Sequence, residues 1–521
     1  MLSINKIKVL MNASDNNKRI AKNTLFLYFR QILIMAVSLY TVRVVLAALG
    51  EEDYGIYNVV GGFVAMFNVI AGALTAAISR FITFEMGRKD VTIERLQTIF
   101  SSSLLIQVVL GLLIGLLIAM IGVWFVEQKM VLPSGRIVAT FYVLFFSSIS
   151  FFVGLISVPY NALIIAHEQM KAFAYISIVE VMLKLLVAYL LIVVACDKLV
   201  LYAVCMTLVA LIVRSVYAIY CKRHFAECRF VWHLDKQLLA RMFVFSGWAF
   251  LGNASNVIRD HGVNLLLNVF GGPVVNAARG ITMQVTYAVN QLATNFLQAV
   301  NPQITKSYSA GQLSEVHRLI FKSTRFSFFL ILILSLPLIK STDYVLSLWL
   351  VSVPDHTAEF IRLMLVFYLI DSLSLPLITG LLAEGNIRLY EVVLSSLNAV
   401  NVIASYFALR LGYSPESVYV ISLVTQTGIT LSRAWLSGHS YALPLAAFFK
   451  EVYGKTGCVV VITGFFSYCL KLPMEHDFAN FVIVSLLIFL VTVIVIYSLG
   501  IKQEERKLIN AVIRKRVFRK S

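Results

Sequence analysis

Between Asn23 and Gly500 the chain is a succession of apolar runs of about 20 residues or more, separated by short polar loops. Nothing else in the sequence limits the fold as tightly. A segment of that length in hydrocarbon must satisfy every backbone N–H and C=O internally, and a continuously apolar run does so as a helix. Many such runs predict an all-α integral membrane protein that crosses the bilayer repeatedly. Of 521 residues, 59% are hydrophobic and 14% charged, and mean hydropathy is +0.84. A soluble domain carries about 25% charged residues. The N-terminus shows no cleavable signal pattern: it is basic (Lys6, Lys8, Lys18, Arg19, Lys22), and the first apolar run is long enough to remain a span.

About fourteen spans are expected, with limits near 23–49, 54–82, 99–126, 137–166, 171–196, 198–221, 239–270, 272–300, 323–350, 358–383, 387–411, 415–437, 454–471 and 478–500. With both termini cytoplasmic, about thirty Lys and Arg fall in inner loops and about seven in outer ones, as the positive-inside rule requires. The net charge of +17 therefore belongs to membrane-facing loops and to the tail "KQEERKLINAVIRKRVFRK", and nucleic acid is not an expected partner. No loop exceeds about twenty residues, which leaves no room for an ATPase or a large outer catalytic domain. No phosphate-binding GxxxxGK[ST] and no Rossmann fingerprint is present. The six cysteines show no disulfide framework. Cys221, His224, Cys228 and His233 share one loop, but their spacing matches no standard zinc pattern, and coincidence is the favoured reading.

Two stretches share a layout. "ALGEEDYGIYNVVGGFVAMFNVIAGALTAAISRFITFEMGRKD" starts at Ala48, and "VFGGPVVNAARGITMQVTYAVNQLATNFLQAVNPQITKSYSAGQ" at Val269. Each passes from a helix end through a glycine-containing outer turn into a long helix, and Asn68 corresponds to Asn290. The implied division is a cytoplasmic N-terminus (1–22), an N-lobe of six helices (23–221), a cytoplasmic loop (222–238), a C-lobe of six helices (239–437), a second cytoplasmic loop (438–453), two further helices (454–500) and a basic cytoplasmic tail (501–521). Six is even, so the lobes repeat in parallel, and such transporters bind substrate between lobes near the midplane.

Several spans carry polar faces that lipid does not tolerate. Asn253, Asn256, Asp260, Asn264 and Asn268 recur at steps of three or four in span 7, and Gln284, Tyr287, Gln291, Asn295 and Gln298 form a stripe in span 8. These read as the lining of a wet cavity, with amide-mediated helix packing as the plainer alternative. A charge at mid-span costs at least about 2.5–3.5 kcal/mol. Arg30, Arg43, Arg80, Lys184, Arg214, Arg259 and Arg279 lie in or at the ends of spans, against fewer acids: Glu180, Asp260, Asp371 and Glu384. Glu180 and Lys184, four apart, are placed to pair, and Arg80 and Arg214 to snorkel. Arg259 either pairs with a carboxylate such as Asp371 or meets a ligand. Surplus guanidinium in a low-dielectric cavity calls for an anion, and the guanidinium fork matches phosphate oxygens. Asp260 would hold an arginine or take a coupling cation, and Asp371 is the other candidate for ion coupling. His261 points about 100° away from Asp260 and reads as packing.

"YTVRVVLAALGEEDYGIYNVVGGF", "GALTAAISRFITFEMGRKD" and "NQLATNFLQAVNPQITKSYSAGQ" resemble the polysaccharide-repeat (O-antigen type) flippases of the multidrug/oligosaccharidyl-lipid/polysaccharide exporter superfamily. The resemblance implies a MATE-like fold of two six-helix lobes plus two extra helices. It also implies a cargo of undecaprenyl-diphosphate-linked oligosaccharide, carried from the cytoplasmic to the periplasmic leaflet of the bacterial inner membrane. Related flippases hold diphosphate with arginines on helices one, two and eight, for which Arg30 and Arg43, Arg80 and Arg279 are the nearest positions. Transport in the superfamily is linked to Na⁺, H⁺ or membrane potential, with no bound cofactor or metal. Expected partners are a polysaccharide polymerase and glycosyltransferases, with the transporter itself a monomer. Competing readings are a multidrug exporter, whose cationic cargo would want a carboxylate-rich cavity, a peptidoglycan-precursor flippase, and a membrane glycosyltransferase or polymerase.

Overall fold

The structure is a computed structural model that describes residues 2–503 apart from 89, 129, 131–134, 195, 233–234, 351–352 and 471–477, and beyond these only 505, 506 and 510. Side chains are described from Asn23 onward, except at a few helical positions that include Asn68 and Pro273. His233 and most of the basic tail thus lie outside the described residues. The chain divides into two compact units, residues 21–253 and residues 254–521 together with the first twenty.

All regular structure among the described residues is helical. The first unit contains α1 (Leu2–Ala65) from residue 21 onward, α2 (Asn68–Gly87), α3 (Ile93–Gln128), α4 (Ile137–Ala166), α5 (Met170–Val193), α6 (Lys198–His224) and the start of α7 (Lys236–Ser309). The second contains the rest of α7, α8 (Leu313–Lys340), α9 (Thr342–Trp349), α10 (Thr357–Ser372), α11 (Leu375–Glu384), α12 (Arg388–Arg410), α13 (Glu416–Tyr441), α14 (Leu445–Phe448), α15 (Lys455–Cys469) and α16 (Phe478–Val495). π-helical turns follow α14 and α16. These helices fit fourteen spans plus short extras. Eight are individually long and apolar enough to cross a membrane, nine if bent α10–α11 is one span.

Three features depart from the expected spans. The turns after spans 1 and 7 are single-residue kinks inside α1 and α7, at Gly50 (φ 79°, ψ 171°) and Gly272 (φ 76°, ψ −174°). Span 2 is interrupted at Met66–Phe67, between α1 and α2. Span 10 bends by 40° between α10 and α11, where Pro376, in the first turn of α11, has no N–H to carry the hydrogen bonding of α10 onward.

The burial pattern is that of a bundle solvated by lipid. Leu112, Leu116, Leu186 and Phe465 face outward at 60% exposure or more, while Ser101, Ser102, Ser103 and Gln107 are fully enclosed. Between helices in hydrocarbon, close packing and hydrogen bonds hold the bundle where no hydrophobic drive exists. In the first unit α4 packs on α3 and α6 around Val143, Leu163 and Ile164, and the Ser150 and Thr207 hydroxyls meet at 2.9 Å. At one end of these helices, Arg136 bridges Asp53 at 2.5 Å and Asp197 at 2.8 Å, and Asp197 caps α6 by accepting from Leu199 N and Val200 N. The second unit is centred on Leu267, Ile331, Phe360 and Leu365 and on Leu377, Phe448 and Val452.

Candidate functional site

The polar stripe of α7 reaches its most charged point at Arg259 and Asp260. Both line a cavity of about 240 Å³ within the second unit, with Asn256, Tyr287, Asn290, Tyr368, Asp371, Gln426 and Arg433. Four helices supply these groups. The two halves of α7 carry residues 256–260 and 287–290, α10 carries Tyr368 and Asp371, and α13 carries Gln426 and Arg433.

Two guanidinium–carboxylate pairs organise the walls. The Arg259 Nε and Nη2 both donate to Asp260 Oδ1, at 3.1 and 3.0 Å. Its Nη1 donates to Asn398 Oδ1 at 3.2 Å, and its plane faces the Phe367 ring at 5.7 Å. Asn398, 2% exposed on α12, is a hub: its amide also donates to Ser255 Oγ at 3.0 Å and Asn256 Oδ1 at 3.1 Å. The second pair is Arg433 with Asp371, at 2.8 Å. Gln426 Nε2 donates to the same carboxylate oxygen at 2.7 Å, and Arg433 Nη1 also donates to Ser374 Oγ at 2.9 Å. Ser374 sits in the α10–α11 break, so the bend made by Pro376 presents its hydroxyl to the arginine. Arg279, 5% exposed, donates Nη2 to the backbone carbonyl of Asp260 at 3.0 Å. Two arginines and two aspartates thus line one polar hollow, and Arg279 braces the backbone at Asp260.

The pairs differ in commitment. Asp371 is enclosed, its side chain 17% exposed and held by both Arg433 and Gln426. The Asp260 side chain is 43% exposed and touches only the neighbouring arginine among the described ion pairs. An anion can therefore exchange with Asp260 at Arg259 more readily than it can open the Arg433 pair.

The other sequence candidates fall elsewhere. In the first unit, Arg30 stacks on Phe173 at 4.8 Å, Arg80 lies among Phe81, Phe84 and Phe245 at 4.8, 4.7 and 5.5 Å, and Arg43 is exposed on α1. Of the expected polar lining in the second unit, Asn256 borders the cavity, whereas Asn264, Gln284, Gln291 and Asn295 are not among its walls. Gln284 is exposed, and Asn295 is 2% exposed. Lys184 pairs with Glu180 at 2.6 Å, as their spacing predicts. Of the two partners open to Arg259, Asp371 is taken by Arg433. Sequence reasoning passed over Arg433, Gln426 and Asn398. For Gln426 and Arg433 the signal was the polar density of "TQTGITLSRAW" inside an apolar span.

This fold recurs in solved membrane transporters. A MATE transporter in its bent conformation aligns with TM-score 0.71 at 14% identity, covering 84% of this chain and 97% of that one. A multidrug-resistance MATE family transporter in the outward-facing conformation aligns with TM-score 0.68 at 14% identity, over 82% and 96% of the two chains. A MOP superfamily transporter from Pyrococcus furiosus, for which a binding pocket of reversed polarity and a different function have been put forward, aligns with TM-score 0.67 at 13% identity, over 82% and 96%. The architecture is thus that of a multi-pass membrane protein with the MATE-like fold of the MOP superfamily. The model of the polysaccharide biosynthesis protein family matches residues 20–306, and the chain belongs to that family. No curated protein matches the sequence.

Proposed function

We propose that this protein is a flippase for undecaprenyl-diphosphate-linked oligosaccharide repeat units, moving them by alternating access across the bacterial inner membrane for surface-polysaccharide synthesis. The observation that carries this reading is the pair of arginines, Arg259 and Arg433, on the wall of one polar cavity inside a membrane-spanning bundle, with Arg279 hydrogen-bonded to the backbone of Asp260. Fixed cations in a site of low dielectric favour an anionic headgroup. Amide, tyrosine and carboxylate groups beside them suit sugar hydroxyls. Membership of a polysaccharide biosynthesis family supports the same class of cargo.

Each residue then has a role. Arg259 exchanges Asp260 for a diphosphate oxygen, while Arg279 fixes the backbone beneath Asp260. Arg30, Arg43 and Arg80 are the further candidates for holding diphosphate. Asp260, the more open carboxylate, takes the coupling Na⁺ or H⁺, and Asp371 remains an internal counter-ion. The lobes are residues 23–221 and 239–437, both termini are cytoplasmic, and the transporter is a monomer working beside a polymerase and glycosyltransferases. A multidrug exporter of cations fits less well, because both cavity carboxylates are engaged by arginines.

The test is the sidedness of lipid-linked oligosaccharide in a deletion strain. Accumulation on the cytoplasmic leaflet with continued synthesis is the expected result. Loss of synthesis would indicate an enzyme, and drug sensitivity alone an exporter. Imposed Na⁺ or H⁺ gradients in proteoliposomes identify the coupling ion.

A further inference from the structure

A second concentration of buried charge lies where the tail leaves the α16 π-turn. Gly500 abuts α8 so closely that a Cβ there would stand 2.5 Å from Phe329 Cζ, and Ile501 is buried with Phe328, Phe329 and Leu332. This contact lays the tail on α8 and brings Glu505 to Arg325. The Arg325 side chain is 2% exposed, and its Nη2 donates to Glu505 Oε1 at 2.7 Å. Its Nε and Nη1 are enclosed and have no acceptor among the described residues.

Glu505 has little left to offer them. Its Oε2 accepts the backbone N–H of Lys502 at 2.9 Å. The neighbouring acids are occupied: Glu451 pairs with Lys502 at 2.5 Å and Glu315 with Arg318 at 2.6 Å. Lys322 and Lys455 add their charges to the same field. Among the described residues, these five cations therefore face three carboxylates, and the most buried cation has two donors without an acceptor. Unfilled donors on a buried charge are costly, so the site favours an anion with more acceptors than a carboxylate. Phosphate has the extra oxygens and accepts the arginine fork bidentately. Basic pockets at helix ends beside the headgroup layer are suited to lipid phosphates.

We infer that Arg325, with Lys322 and Lys455, is a binding site for a phosphate group, and that the Glu505 carboxylate is the tethered anion filling it in the absence of phosphate. The two compete for one guanidinium, so phosphate binding and tail release are linked. The phosphate belongs either to an anionic phospholipid headgroup or to a soluble phosphate ester. The site stands whatever cargo the cavity of the second unit carries.

The experiment uses the full chain in nanodiscs of phosphatidylcholine, of phosphatidylcholine with phosphatidylglycerol, and of phosphatidylcholine with added inorganic phosphate. Tryptic cleavage after Lys502 and Arg506 and the amount of retained phosphatidylglycerol are read by mass spectrometry. Cleavage is expected to rise severalfold with phosphatidylglycerol. Glu505→Gln is expected to be cleaved rapidly in every lipid and to retain more phosphatidylglycerol than the parent. Arg325→Lys, which keeps the charge but not the fork, should blunt the lipid effect. A matching response to inorganic phosphate assigns the site to a soluble ester, and no such response assigns it to lipid. Equal cleavage under all three conditions, with no added lipid retention by Glu505→Gln, overturns the site. A lipid effect undiminished in folded Arg325→Lys also overturns it, because bulk membrane charge would then be the cause.

Discussion

Gly50 and Gly272, 222 residues apart, hold the same rare backbone conformation, φ near +78° with ψ near 180°. Each interrupts a long helix at the start of one of the two stretches that share a layout in the sequence. Only glycine adopts this region without strain. No atom lies within 4 Å of a Cβ built at either position, so backbone strain alone governs substitution. Gly50→Ala and Gly272→Ala should each destabilise the protein by about 1–3 kcal/mol. Asparagine should not relieve the loss, because its tolerance is for the left-handed helical region and not for ψ near 180°. Thermal unfolding in detergent checks this, and a loss at one glycine but not the other would break the equivalence of the two turns.

The Arg433–Asp371 pair predicts a non-additive cycle. Arg433→Gln or Asp371→Asn alone leaves a buried, unmatched charge, at a cost of about 3–5 kcal/mol. The double variant should recover much of that loss, since neither charge remains. Unfolding of the four proteins measures the coupling. Simple additivity would mean that the two side chains do not act as a unit.

At the more open pair, activity should respond more than stability. Arg259→Gln and Arg279→Gln are expected to abolish surface polysaccharide in a complemented deletion strain while protein levels in the membrane are retained. Full complementation by both single variants and the double would remove these arginines from the site.

A pH effect is expected outside the spans. Glu227, in the loop after α6, contacts His167, the residue closing α4. Burial pushes its carboxyl up, but the His167 contact and a backbone hydrogen bond outweigh burial and hold it below its ordinary value of 4.5. A depressed acid contributes stability above its unfolded pKa and loses it as pH falls through the folded one. The stability difference between the parent and Glu227→Gln should therefore shrink as pH falls below about 4.5. Unfolding midpoints at stepped pH provide the measurement. A difference that grows on acidification would reverse the sign assigned to the contact.

Much of the molecule was legible in one dimension. A bilayer fixes how many apolar residues a span needs, so the helices could be counted before any tertiary contact was known. The stripe of Asn256 and Asp260 was legible from helical spacing, because residues three and four apart share a face. The bend after Asp371 was less so: its cause, Pro376, stands near the middle of an apolar run that reads as one span.

Which arginine meets which acid was decided only by the tertiary structure. From the sequence, Asp371 was a reasonable partner for Arg259. In the fold it belongs to Arg433, 62 positions along the chain, while Arg259 turns to its neighbour Asp260 and to Asn398, 139 positions away. Glu505 likewise reaches Arg325 across 180 positions. Membrane thickness constrains the length and polarity of each helix, and both are written locally. Pairing depends on how each helix is rotated and set against its neighbours, and rotation follows from close packing of the whole bundle.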